Sequence, residues 1–283
     1  MSLIFAALLA TATPAAAQSI SASPIVLGTT YHWHSRTMGD DRVVNVVLPD
    51  DYSKSPGKRY PVLYLIDGGV DQDLIHVAGT EKLNAAWGRS DDAIIVGIAT
   101  KDRRSELVGP TADPELVKQY PTAGHSARFR AFIRNEVKPF VVRRFRTSGE
   151  DAVIGESLAG LFIVETYLAE PGLFTAYGAI SPSTWWDKEA LSMTAAGRIG
   201  SAQSAHPLYI AVGNEGAEVA RADGRVVSAI RGKVQRWCYA EHPDFVHSTI
   251  YHAVGPELLQ FVLPPAQAPD PEFGFEVRCS KKS

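Results

Sequence analysis

Short runs of β-branched and aliphatic residues alternate with longer amphipathic stretches from residue 18 onward. That alternation predicts strands and crossover helices around a largely parallel sheet. The opening differs: 28–34 and 42–48 read as strands joined by a turn at Gly39-Asp40-Asp41, an antiparallel hairpin. Residues 61–66 (PVLYLI) form an unbroken apolar run, which suits a strand buried on both faces, and it stops at Asp67-Gly68-Gly69. A helix over 74–87 and a buried strand over 93–99 follow. The stretch 101–124 is polar and rich in Pro and Gly, and reads as a long irregular loop with a functional role.

Phe129, Phe132, Ile133, Val137 and Val141 recur at helical spacing and predict a helix over 127–145, with a short strand over 152–155 behind it. The next helix, 158–169, is ended by Glu170-Pro171-Gly172. Strands over 176–180, 207–212 and 236–240 and helices over 220–234 and 252–262 complete the pattern. From Pro264 the chain turns proline-rich and reads as an irregular tail. The expected class is α/β, an α/β-hydrolase fold with helices on both faces of a mostly parallel sheet. One domain over 18–263 accounts for the chain of 283 residues, followed by a tail over 264–283.

Residues 1–17 carry an apolar run and then Ala15-Ala16-Ala17, which reads as a secretory leader and predicts a periplasmic or secreted protein. No stretch approaches the ~20 apolar residues that span a bilayer. The net charge of -3 provides no positive field for nucleic acid, so neither partner is expected. Cys238 and Cys279 are an even pair suited to one disulfide after export. Neither the cysteines nor His32, His34, His242, His247 and His252 form a metal-binding spacing, and no cofactor is expected.

The informative segment is Val153-Ile154-Gly155-Glu156-Ser157-Leu158-Ala159-Gly160, a buried strand running into a helix with a serine at the turn. A nucleophilic serine sits at such a turn because its strained backbone leaves room only for small residues two positions either side, here Gly155 and Ala159. The serine needs a base, and the order serine, acid, histidine places that base after the last strand. His247 fits that polar loop better than His242 or His252. The acid belongs after strand 207–212, where Glu215 is the first choice, with Glu218 and Asp244 as alternatives. The oxyanion donors expected are the N–H groups of Leu158 and Gly69. Trp185 and Trp186 stand where they would line a pocket or pack into the core.

YPVLYLIDGG at 60–69, RSELVGPT at 104–111, FRAFIRNEVKPFVVRRFRT at 129–147, GESLAGLFIVETYL at 155–168, AISPSTWWD at 179–187 and HST from His247 occur in one order. In this the chain resembles the esterase family related to esterase D and the trilactone siderophore esterases. The resemblance implies a serine mechanism acting on small-molecule esters and supports His247 as base. It leaves the acid open, since some siderophore esterases work with a serine and histidine alone. Acyl transfer on the same fold and an inactive ligand-binding module are the rival readings.

Overall fold

The structure, a computed structural model, describes residues 21–282; the leader expected at 1–17 lies outside the described residues. In chain order the elements are β1 (Thr29–His34), β2 (Asp41–Val47), β3 (Tyr60–Ile66), α1 (Leu74–Ala86), β4 (Ile94–Ile98), α2 (Arg103–Leu107) and α3 (Pro114–Gln119). A continuous helical stretch follows: α4 (Ser126–Phe132), a π turn (Ile133–Val137) and α5 (Lys138–Arg144). Then come β5 (Thr147–Glu156), α6 (Leu158–Ala169), β6 (Ala176–Ile180), α7 (Trp186–Arg198), β7 (Leu208–Gly213), α8 (Ala217–Ile230), β8 (Trp237–His242), α9 (His247–Val262) and β9 (Lys281–Lys282).

The strands form a single sheet in the order β1-β2-β4-β3-β5-β6-β7-β8-β9. The run from β4 to β8 is parallel, while β1, β2 and β9 pair antiparallel at the two ends. This is the expected α/β-hydrolase architecture. Alternation along β3 shows why its apolar run is unbroken. Tyr60, Val62, Tyr64 and Ile66 enter the core shared with α4, α5, α6 and α8, and Leu63 and Leu65 enter the core under α1 and α9. Each fully buried aliphatic or aromatic side chain contributes roughly 1.5–3 kcal/mol, so a polar residue anywhere in this strand would be costly on one face or the other.

The loop expected over 101–124 is more ordered than its composition suggests, because it contains α2 and α3. Asp102 caps α2 by accepting from the N–H groups of Arg104 and Ser105, and Asp113 caps α3 through Glu115. Arg42 of β2 holds α2 in place, with Glu106 accepting at 2.7 and 2.8 Å from its guanidinium, both groups buried. A second correction is α7, which the sequence pattern did not predict. Its first turn includes Asp187, Lys188 and Glu189 in left-handed conformations. A third concerns the tail, where Lys281 and Lys282 pair with Tyr239 and Cys238 as β9. A fourth is α9, which starts at His247 and not at 252. Among the described residues no helix is long and apolar enough to cross a membrane.

Cys238 and Cys279 are bonded, tying the tail to β8 across 41 residues. A cross-link over a loop of that length restricts the unfolded chain and is worth about 2–4 kcal/mol. Cys279→Ser is therefore expected to lower the denaturant midpoint in non-reducing buffer by a corresponding amount. A midpoint equal to that of the parent protein would show that the bond contributes nothing.

Candidate active site

β5 delivers Ser157 to the end of the sheet, where the chain reverses into α6 with φ 61° and ψ -118° at the serine. Such a conformation costs a non-glycine residue about 1–3 kcal/mol and persists because its surroundings hold it. The Ser157 N–H donates to the Ile180 carbonyl at 3.0 Å, and the Ser157 carbonyl accepts from Ser183 N–H at 3.0 Å and Leu161 N–H at 2.9 Å. A methyl at Gly155 would stand 2.6 Å from Ala159 Cβ. The absence of a side chain at 155 is thus what makes room for alanine at 159.

Three side chains from three loops meet here. The imidazole Nε2 of His247, first residue of α9, accepts from Ser157 Oγ at 3.0 Å, and its Nδ1 donates to Glu215 Oε2 at 2.6 Å. The opposite carboxylate oxygen, Oε1, accepts from Ser181 Oγ and from Gly213 N–H. Parallel pairing of β7 with β8, Gly213 opposite His242, sets the two following loops side by side and brings the carboxylate to the ring. Burial alone would raise the Glu215 carboxyl, but hydrogen bonds from His247 and Ser181 outweigh it and hold it below the usual range. In return the Glu215 hydrogen bond raises His247 above its ordinary value, against burial and the Arg103 charge, with the charges of Glu215 and Glu156 adding to the rise.

Neither Glu218 nor Asp244 bonds to the imidazole; both carboxylates are exposed. His242 packs at 6.2 Å from the Phe245 ring and His252 lies 4.8 Å from His76, each away from the serine. Leu158, the first residue of α6, carries one of the N–H groups that find no partner within a helix. Gly69 is engaged by a neighbouring side chain. Pairing of β3 with β5 puts its turn at the same end of the sheet as Ser157. Its N–H, however, donates to Gln72 Oε1 at 2.9 Å, and Gln72 is anchored by Thr100. The donor exists but is occupied by this carboxamide.

The cleft over these groups has a volume of about 670 Å³ and takes in Ser157, Ser183, Trp185, Glu218, Val246 and His247, a size suited to a small molecule. Trp185 lines it. Trp186 does not: it is 6% exposed and packs 5.6 Å from the Tyr120 ring. Sequence reasoning missed Ser183, whose buried hydroxyl lies 3.4 Å from Ser157 Oγ, and Ser181, which steadies Glu215. Their only signal was the Ser-Pro-Ser-Thr stretch directly after β6. Among the described residues no group of three or more His, Cys, Asp or Glu could hold a metal ion.

The "Putative esterase" family model matches residues 35–249. The chain is similar to the ferri-bacillibactin esterase of Bacillus subtilis, 27% identical over 53% of this chain and 56% of the relative. It is similar also to the siderophore enterobactin esterase of Emericella nidulans, 29% identical over 58% of this chain and 62% of the relative. The match thus spans less than two thirds of either curated relative. Among solved structures, an IroE-like serine hydrolase from Shewanella oneidensis superposes with a TM-score of 0.70 at 23% identity, over 82% of this chain and 79% of that one.

Proposed function

The chain belongs to this esterase family, and from that premise we propose that it hydrolyses carboxylic esters through an acyl-enzyme. One observation carries the reading: the continuous line from Ser157 Oγ through both ring nitrogens of His247 to Glu215. Ser157 Oγ attacks the ester carbonyl carbon as its proton passes to His247 Nε2, and Glu215 stabilises the resulting imidazolium. The carbonyl electron pair collects on oxygen, facing Leu158 N–H at the positive end of α6 and Gly69 N–H once Gln72 has moved off it. When that pair re-forms the carbonyl, the bond to the alcohol oxygen breaks and the imidazolium protonates the leaving alcohol. Water, deprotonated by the same histidine, then attacks acyl-Ser157; the acyl–Oγ bond breaks, the imidazolium returns its proton to Oγ and the acid leaves.

The curated relatives are named for siderophore esters, which makes such an ester one candidate substrate and a small acyl or aromatic ester another. Export belongs to the same proposal, because the Cys238–Cys279 disulfide suits an oxidising compartment.

An uncharged fluorophosphonate tests the reading. Peptide mass spectrometry should find the label on Ser157. The labelling rate should rise with pH through a midpoint above the ordinary histidine value of about 6.5: Nε2 accepts the serine proton only when neutral, and Glu215 favours the protonated ring. Folded protein left unlabelled at Ser157 would refute the proposal.

A further inference from the structure

The charges around the cleft bear on what it admits. Among the described residues no Lys or Arg lines it, and its charged or titratable lining residues are Glu215, Glu218 and His247. Four cations on the neighbouring elements are bound to carboxylates. Arg103 Nε donates to Asp67 Oδ2 at 2.8 Å, Lys188 to Asp113 at 2.8 Å, and Arg221 and Arg225 both to Glu189. Glu156 lies directly before the serine, and the charges felt at His247 are those of Glu215 and Glu156, opposed by Arg103. The positive starts of the surrounding helices do not reverse this balance. Glu218 occupies the first turn of α8 and Glu215 engages the first residue of α9, leaving α6 for the single charge that develops during reaction. Trp185 is 41% exposed and Val246 50% exposed, large apolar surfaces turned to solvent among the residues that line the cleft.

We infer that, granted the esterase reading on which this rests, the cleft takes an uncharged ester whose arm is apolar or aromatic, seated on Trp185 and Val246, and turns away anionic esters. An iron(III) tris-catecholate carries three negative charges, so an iron-loaded catecholate ester falls in the rejected class. The physical basis is focusing of one sign of potential by a cleft with low-dielectric walls, which changes local substrate concentration by tenfold or more.

Three p-nitrophenyl esters of equal acyl length separate charge from shape: the hexanoate, the 6-aminohexanoate and the monoester of adipic acid. At low ionic strength the hexanoate should be cleaved with the highest kcat/KM, and the ammonium ester should exceed the carboxylate ester by about tenfold. Because the two charged esters are similarly hydrophilic, their ratio reports the sign of the field. It should collapse in 0.5 M salt and shrink in Glu218→Gln. A carboxylate ester cleaved as well as the ammonium ester, or better, overturns the inference and leaves the esterase reading standing. Absence of turnover on all three, with Ser157 unlabelled by fluorophosphonate, removes both.

Discussion

Ser157→Ala is expected to reduce ester hydrolysis to near background, a loss on the order of a millionfold in turnover if the three groups act as a unit. The fold should survive. The hydroxyl bonds only to His247 Nε2 and, at 3.4 Å, to Ser183, while every hydrogen bond that shapes the turn comes from the backbone. Alanine meets the left-handed turn with no more side-chain bulk than serine. The thermal midpoint should therefore stay near that of the parent protein while p-nitrophenyl hexanoate release disappears. Appreciable residual turnover, in a preparation free of contaminating esterase, would remove Ser157 from the mechanism and leave the elbow as an ordinary strand-to-helix turn.

Glu215→Gln is the more discriminating substitution. It keeps the volume, so Ser181 and Gly213 N–H can still donate to the side-chain oxygen, but it removes the charge that stabilises imidazolium and offers an amide that can turn the ring to the wrong tautomer. By analogy with the buried aspartate of serine proteases, kcat should fall by roughly 10⁴. KM for an uncharged ester should change little, since the carboxylate is turned to the ring. The acid limb of kcat/KM should also move to lower pH, because the partner that raises His247 has gone. A limb that stays in place together with parental turnover would show that the serine and histidine work without this acid.

Much of this arrangement was legible in the chain because each part has a local cause. The elbow needs a buried strand, small residues at 155 and 159 and a helix, and all of these lie in the one continuous stretch 147–169. The histidine was found by order along the chain. Which carboxylate serves it was not legible, because Glu215, Glu218 and Asp244 all lie just past the ends of β7 and β8 and only the lateral pairing of those strands decides among them. Helix α7 escaped for a different reason. Its buried face carries Trp186, Glu189, Ser192 and Ala195, a set with too few apolar members to show a period of 3.6. Glu189 is buried there because Arg221 and Arg225 reach it from α8, a tertiary compensation no local pattern reveals. The start of α9 was hidden because Ser248 and Thr249 have low helix propensity; Thr249 Oγ1 accepts from Val246 N–H and closes the first turn.

The ninth strand has no hydrophobic signature at all, yet it changes how this molecule meets others of its kind. Without it, β8 would be the last of a parallel run and would present a row of open N–H and carbonyl groups, a template on which a foreign strand could continue the sheet. Ser280 N–H instead donates to the Tyr239 carbonyl, Glu241 N–H to Ser280 Oγ, and Lys281 and Lys282 add two like charges along the covered border. Because a sulfur bridge anchors this strip, the cover over the β8 border rests on an oxidised cystine as well as on two residues of backbone pairing.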